Sequence, residues 1–448
     1  MTIYLAGTIV AWLYGNTSDD KALFNFIRPG YIAASQIPFL FIFSMKNNPI
    51  GWIVGEGYER LNVYHGFLGR IIFGFSVIHG VNEFGLQNER GGIKIRGSVL
   101  YGLIALIALA AVLITSFKLF RDYFYQTFMI THILGYIIFL VMVVVHEGGT
   151  LIYVILGVIP LVIDGLMKTI RTKIRPAKFE AMPGGMTRIS VQGLNSGWRA
   201  GQHVFIRVLR GKHYFEKHPF TIVNAASEMS PYNTCDHLLL VAKADGDFTK
   251  SIYRMADEIN ISQDGREKGV DSSPFRVLLE GPYGSFYEDM SQYDSVLLCS
   301  GGSGFAYCMG QLEAIVGLSV KGLRKVTKRI VVVWTLRNPE LIYSFSNEIE
   351  EVVEIGTKCG IDIVVKIFFT SQDVKYPSDI VLANIGPELQ ACRPKLKEIV
   401  NEMIDTGNNG GLGIGICGPP GLVDHMRNVY RSLSKVQLEM AGGVSLHW

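Results

Sequence analysis

Five apolar stretches crowd roughly the first 170 residues: 31–45, 64–82, 98–117, 127–146 and 150–168. Each approaches the roughly 20 residues that a bilayer asks of a helix. The opening MTIYLAGTIVAWLYG is shorter and has no basic start. It reads as a further short span rather than a cleaved signal, which makes about six spans. A chain of 448 residues that is 49% hydrophobic and only 18% charged is too apolar for an ordinary soluble protein. It fits a membrane part joined to a soluble part.

Flanking charge sets a direction. The last stretch runs into KTIRTKIRPAK, a basic cluster expected on the cytosolic side. Counting back, SFKLFRDYF and SMKNNP share that side, and VNEFGLQNERGGIKIRG faces out despite three basic residues. Asn16-Thr17-Ser18 then lies outside, as a glycan acceptor. The sequon at Asn260 lies in the cytosol and is expected to be unused. All six cysteines (Cys235, Cys299, Cys308, Cys359, Cys392, Cys417) fall in the second half, without metal-ligand spacing. They read as free thiols of a reducing compartment. The net charge of +3 is small, and no zinc-finger spacing, aromatic RNA-binding signature or long basic tract is present. Nucleic acid is therefore not an expected partner.

Two of the apolar stretches carry a histidine near each end. YHGFLGRIIFGFSVIHG holds His65 and His79, and THILGYIIFLVMVVVHEGG holds His132 and His146. Fourteen residues separate the two in each case. That spacing returns to within about 40° on a helix and rises roughly 21 Å, so each pair shares a face near opposite membrane surfaces. One span intervenes, so the two helices run parallel. His65 then sits level with His132 on the cytosolic side, and His79 with His146 on the outer side. Two facing imidazoles at each level can clamp a haem iron axially. A single such histidine reads as readily as a packed or interfacial residue. Four at a doubled spacing, with no other histidine before His203, point to ligation. Arg70, between the first two, either meets a haem propionate or snorkels to the cytosolic edge.

After residue 175 the pattern changes. MTRISVQGL, HVFIRVL, HPFTIVNA, HLLLVAKADG and FRVLLEGPYG are short strand-like runs, as in a small β-barrel. From Ser295 strands alternate with helical stretches, the mark of a parallel α/β sheet. Polar DEINISQDGREKGVDSSP reads as a surface loop. HPFT has the make-up of a flavin-presenting strand, with Pro219 fixing its entry and the Thr221 hydroxyl near flavin N5; an ordinary strand start is the alternative. In GDFTKSIY, Gly246 permits close approach and Thr249 opens a helix whose N-terminus suits a pyrophosphate, although any helix needs a cap. CSGGSGFAY, with Gly301, Gly302 and Gly304, has the strand–turn–helix context of a dinucleotide phosphate site. GICGPPGLV repeats that context, where Cys417 and Gly418 either border a nicotinamide or serve as structure. Arg337 either meets a 2′-phosphate or is a surface residue.

The order HPFT, GDFT, GPYG, GGSG, CGPP on a barrel followed by an α/β domain resembles the ferredoxin–NADP reductase superfamily. With the bis-histidine helices in front, the chain resembles the ferric reductase and NADPH oxidase family over roughly residues 25–448, and fungal ferric/cupric reductases most. RPGYIAASQIPFLFIFSMKNNPI, YERLNVYHGFLGR and GQHVFIRV fit the same family. The resemblance implies a multi-domain fold: an α-helical transmembrane haem domain (1–170), an FAD-binding antiparallel β-barrel (175–290) and an NADPH-binding α/β domain (291–448). It implies that His65, His79, His132 and His146 ligate two b-type haems. It assigns FAD to His218, Pro219, Phe220 and Thr221, with Gly246, Phe248, Thr249, Gly281 and Gly284 from the neighbouring motifs. NADPH falls to Gly301, Gly302, Ser303, Gly304, Arg337, Cys417, Gly418 and Pro419, and Trp448 to shielding the flavin ring. Two departures stand out: GGSGFAY lacks the usual Ile-Thr-Pro, and the chain starts close to its first span, whereas many fungal members have a long N-terminal region. The implied activity is electron transfer from cytosolic NADPH through FAD and the haems to an acceptor outside, without nucleophile or general base. Oxidases of this family dome the outer haem with a long loop, whereas here the loop is about EGGT. That favours ferric or cupric chelates over oxygen as acceptor, at a plasma or internal membrane. The remaining alternative is a non-catalytic membrane scaffold or ion pathway.

Overall fold

The computed structural model describes residues 1, 4, 6–10, 27–211, 213–232, 236–263, 274–284, 289–323, 326–371, 388–407 and 409–447. Two compact units emerge, Met1–Thr169 and Ile170–Trp448. The sequon at Asn16, Cys235 and most of the opening apolar segment lie outside the described residues.

In the first unit, short helices α1 (Ile27–Ser35), α2 (Ile37–Ile42) and α3 (Pro49–Val54) precede α4 (Tyr58–Glu89), α5 (Ser98–Thr115), short α6 (Lys118–Tyr123), α7 (Tyr125–His146) and α8 (Leu151–Arg171). Among the described residues, four helices are long and apolar enough to cross a bilayer: α4, α5, α7 and α8. The stretch 31–45, expected as one span, is instead broken at Gln36. Pro38 has no N–H to return to the preceding turn, and the Gln36 amide closes a tighter turn onto the Ala33 carbonyl at 3.2 Å. The second stretch is longer than expected, because α4 runs for 32 residues, about 48 Å.

Small residues set how closely these helices approach. A Cβ on Gly135 of α7 would fall 2.4 Å from Val112 of α5, and one on Gly157 of α8 would fall 2.9 Å from Ile37 and Phe41. Ile37, Phe41, Ile72, Phe75, Leu109 and Phe139 fill the centre. Ile107, Ile114, Ile130, Val141 and Leu166 are exposed, the arrangement lipid favours over water. Asp164 of α8 is buried and ties down the turn after α2. Its carboxylate accepts from the Asn47 amide and from Asn47 Nδ2, both at 2.9 Å, and pairs with Lys168.

In the second unit, six antiparallel strands pair in the order β4-β3-β6-β1-β2-β5: β1 (Lys173–Met182), β2 (Met186–Gln192), β3 (His203–Val208), β4 (His218–Thr221), β5 (His237–Lys243) and β6 (Phe275–Tyr283). A bridge between Ile222 and Leu240 nearly closes the sheet into a barrel. Helix α9 (Asp247–Gln263) covers it, burying Phe248, Ile252, Ala256 and Ile259 at helical spacing. That spacing carries the helix through Gln263, so the start of the expected loop DEINISQ is helical. Asn260 donates to the Ala181 carbonyl at 3.0 Å and so has a structural task.

The rest is a parallel sheet in the order β10-β9-β8-β7-β11-β12. Its strands are β7 (Ser295–Gly301), β8 (Arg329–Leu336), β9 (Asp362–Phe369), β10 (Glu388–Gln390), β11 (Leu412–Cys417) and β12 (Val444–His447). Its helices are α10 (Phe305–Val320), α11 (Ser346–Lys358), α12 (Leu396–Thr406), α13 (Pro420–Arg431) and α14 (Lys435–Met440). Val223, Leu239 and Val241 of the barrel share one apolar core with Phe305, Leu312 and Val316 of α10. The tail AGGVSLH ends in β12, paired in parallel with β11 from Leu412↔Val444 to Gly415↔His447. Trp448 lies outside the described residues.

Candidate functional site

The four membrane histidines come together as two pairs. The rings of His65 and His132 are 6.0 Å apart, and those of His79 and His146 are 5.7 Å apart. Each pair joins α4 to α7, so the two helices run parallel. The far nitrogens are held from behind. His65 Nδ1 lies 2.9 Å from the Leu40 carbonyl, which α2 leaves unused because the Ser44 amide bonds to Phe41 instead. His146 Nδ1 lies 2.7 Å from the Ser98 carbonyl, and His132 Nδ1 lies 3.3 Å from Ser116 Oγ. A carbonyl accepts only, so on His65 and His146 Nδ1 is the donor nitrogen and Nε2 is left as the acceptor. A ring anchored in this way is the usual state of a metal-ligating histidine.

The donor set fits a haem iron. His79 Nε2 stands 3.4 Å from His146 Nε2, a few tenths of an ångström short of the roughly 4 Å that two imidazole–metal bonds span. Gly30 and Gly102 make room for the rings: a Cβ on Gly102 would lie 2.8 Å from His146. A cavity of about 220 Å³ adjoins the outer pair, bordered by Tyr31, Glu83, Ser98, Phe139 and Glu147. No group of three or more protein ligands for a metal occurs among the described residues, so a bare metal ion has no such cage. Arg70 is exposed.

In the second unit one groove of about 1350 Å³ collects motifs far apart in sequence. Pro219, Phe220 and Thr221 of β4 line it, as do Gly301–Gly304, Arg337 and Cys417–Pro419. The glycines divide into two kinds. A Cβ on Gly304 would fall 2.6 Å from the Cys417 carbonyl, and one on Gly418 would fall 2.8 Å from the Gly301 nitrogen. These two let the paired turns interlock. Gly302 has φ +56° with nothing within 4 Å of its would-be Cβ, so it leaves space in the groove itself. The first turn opens α10, whose amide end suits a phosphate. Burial pushes the Cys417 thiol up, so it stays protonated.

Other motif residues are not among those that line the groove. His218 stacks on Phe248 at 4.1 Å, and Phe248 is part of the barrel core. Glu216 lies 3.2 Å from His218 Nε2; its carboxyl is held below its ordinary range by hydrogen bonding from His213 first, then from His218. Thr249 Oγ1 bonds its own turn, to the Gly246 amide at 3.0 Å and the Gly246 carbonyl at 3.1 Å. Gly281 and Gly284 have φ of +132° and +124° and lie against His203 and Gln202. Lys243, Arg393 and His425 also line the groove. Sequence reasoning passes over them because each sits outside a motif; the signal was their position near the C-terminal ends of strands or just beyond a glycine turn.

Three family descriptions match successive parts of the chain. Residues 29–143 match the ferric reductase like transmembrane component, 171–286 an FAD-binding domain, and 293–431 the ferric reductase NAD binding domain. Successive parts of the chain thus resemble the membrane, FAD-binding and NAD-binding components of ferric reductases. Ferric/cupric reductase transmembrane component 2 of Saccharomyces cerevisiae is 26% identical, over 90% of this chain and 58% of that protein. Ferric reductase transmembrane component 3 of the same yeast is 25% identical, over 93% and 60%. Ferric reductase transmembrane component 1 of Schizosaccharomyces pombe is 23% identical, over 92% and 78%. The chain thus spans about three fifths of the two budding-yeast relatives. Among solved structures, a ferredoxin NADP+ reductase from Neisseria gonorrhoeae is similar over 62% of this chain and 98% of that one, at 13% identity and a TM-score of 0.42. The fold of the second unit rests on its own strand order, an antiparallel barrel followed by a parallel sheet.

Proposed function

We propose that the chain is a transmembrane oxidoreductase that carries electrons from NADPH, by way of FAD and two b-type haems, to ferric or cupric ions on the far side. The observation that carries this reading is the pairing of four histidines at two depths, with Nδ1 anchored in at least one ring of each pair. Bound in these sites, the flavin and haems would supply hydride acceptance and one-electron transfer, chemistry that side chains lack. The protein's part is placement. Thr221 and Phe220 on β4 face the same groove as the turns Gly301–Gly304 and Cys417–Pro419, so flavin and nicotinamide would share one space. Arg337 is available there for a 2′-phosphate.

Lys168, Arg171, Lys173 and Arg175 at and after the end of α8 support a cytosolic location for the FAD and NADPH domains. Asp164, one turn before Lys168, binds the turn that follows α2, and α2 supplies the carbonyl behind His65. The His65–His132 level therefore belongs to the basic, cytosolic end. At the other end only Glu147–Thr150 join α7 to α8, which suits an open approach for bulky chelates. The test is anaerobic NADPH reduction of the full chain loaded with FAD and haem, followed by ferric chelate or oxygen. Haem reduction and fast re-oxidation by the chelate support the reading. Two spectral haems that NADPH never reduces would leave a scaffold, and faster re-oxidation by oxygen would leave an oxidase.

A further inference from the structure

Helix α10 begins at the glycine-rich turn and then passes directly over the segment that leaves the flavin strand. Three residues on one face make the contact. A Cβ on Gly310 would lie 3.2 Å from the Ile222 carbonyl and 3.1 Å from that of Val223. A Cβ on Gly317 would collide with the Met229 carbonyl and the Ser230 backbone. Between these glycines stands Glu313, only 4% exposed. One carboxylate oxygen accepts from the Ala225 amide at 3.0 Å, and the other from Ser230 Oγ at 3.2 Å.

Around this carboxylate the contact between barrel and nucleotide sheet is largely apolar, through Val223, Leu239, Val241, Leu312 and Val316, with further polar ties from Lys321 to the Ser227 carbonyl, from Gln311 to the Ala200 carbonyl and between Arg188 and Glu348. Apolar surfaces tolerate sliding, since their attraction is non-directional. A buried carboxylate with two donors does not, because displacement strands both partners. The segment it holds starts one residue after Thr221, and the helix it sits on starts one residue after Gly304. The two ends of this tie are therefore the flavin strand and the phosphate turn.

We infer that Glu313 is a positioning residue for hydride transfer: it fixes the register of the flavin strand against the nucleotide turn without touching either ligand. This rests on the proposed flavin and nicotinamide reading of the groove. Each ligand has its own half-site, so the tie sets their mutual placement more than either affinity. Misplacement by about 1 Å at a reacting centre lowers rates by up to about a hundredfold. Glutamine preserves the arrangement, because its carbonyl accepts from Ala225 and its amide donates to Ser230 Oγ. Alanine removes both bonds.

The experiment uses the full-length chain loaded with FAD and haem. It measures FAD and NADPH affinity, the single-turnover rate of flavin reduction, and hydrogen exchange across Ile222–Ser230. Glu313→Ala should slow flavin reduction about tenfold or more, with both affinities within about threefold of wild type, and should raise exchange in that segment. Glu313→Gln should restore the rate and the protection. Ser230→Ala, which removes one of the two bonds, should fall between them and covers the case in which Glu313→Ala does not fold. Unchanged flavin reduction in Glu313→Ala and Ser230→Ala, or equal failure of the Gln variant, would overturn the inference. Failure of the wild-type chain to bind FAD or to accept hydride from NADPH would instead overturn the functional reading beneath it.

Discussion

The two units place their chemistry in different parts of the chain. On the proposed reading, the membrane unit carries it in four side chains on two regular helices, whose backbones do nothing at the site beyond setting spacing. In the second unit the proposed chemistry rests on backbone: two interlocked glycine turns and one strand edge line a groove. A site of the first kind should lose function when a side chain is removed. A site of the second kind should lose function when a side chain is added.

The largest effect is expected from His79→Ala. The outer pair would lose its ligand from α4, and the inner pair, fourteen residues away on the same helix, would be untouched. Haem content should fall from two per chain to one. NADPH should still reduce the remaining haem, and reduction of external ferric chelate should drop to background. Haem extraction with NADPH-reduced difference spectra checks this. If the retained haem were the one NADPH no longer reaches, the pairing or the direction across the membrane would be reversed.

The matching break in the second unit is a methyl group. Gly304→Ala would push a Cβ against the Cys417 carbonyl, a backbone atom that cannot swing away. Overpacking of this kind costs about 1–3 kcal/mol, and both thermal stability and NADPH affinity should fall. Gly302→Ala meets open space, and its cost is the left-handed backbone alone, about 1–2 kcal/mol. It should lower NADPH affinity more than stability. Nucleotide titration beside thermal unfolding separates the two, and equal behaviour of both variants would show that the glycines serve one purpose.

The same contrast explains what the sequence reveals. Spacing along a helix is written plainly, so the levels of His65 with His132 and His79 with His146 follow from counting. The break at Gln36 is harder to read, because Ile37–Ile42 is as apolar as a span and only Pro38 marks the fault. The glycines of GGSG announce a turn, but their division between interlocking turns and leaving room depends on the second turn, more than 100 residues away. Glu313 is invisible to motif reasoning, since an isolated glutamate on a helix ordinarily faces water. The available signal was its setting: α10 is apolar on nearly every face, so a charge within it must be buried.

Glu313 also sharpens the comparison through pH. Burial pushes its carboxyl up to about 7 from an ordinary 4.5, offset in part by the Ala225 and Ser230 bonds, with Glu348 adding to the rise. Of the other groups nearby, Tyr232 and Glu351 face the same region, Glu348 pairs with Arg188 at 2.5 Å, and Lys321 bonds the Ser227 carbonyl. A raised acid pKa means that the folded state holds the proton more tightly. The stabilisation is complete below about 4.5 and is lost as pH rises through about 7. The span of 7 − 4.5 = 2.5 units corresponds to about 3 kcal/mol as an upper figure. Glu313→Gln has no proton to lose. Its advantage over wild type in resisting thermal release of FAD should grow from pH 5.5 to pH 8, and a constant difference would remove Glu313 as the titrating group.

The smallest effect is expected from Thr221→Val, and it probes the side-chain contribution to a site made mostly of backbone. Thr221 ends β4, pairs with His203 and lines the groove. Valine keeps the branched shape that suits a strand and deletes only the hydroxyl. One hydroxyl hydrogen bond is worth about 0.5–1.5 kcal/mol net, so FAD affinity should fall about tenfold at most. Haem content should not change, because the proposed haem ligands belong to the other unit. If the hydroxyl acts at the flavin's reactive nitrogen, flavin reduction by NADPH should slow by a larger factor than affinity falls. If the strand merely presents its backbone, both should stay near wild type, and the groove would then owe its chemistry to main chain and glycine alone. Stopped-flow reduction beside FAD titration on the same preparation distinguishes the two, and only the first outcome gives the second unit a side chain comparable in role to the histidines of the first.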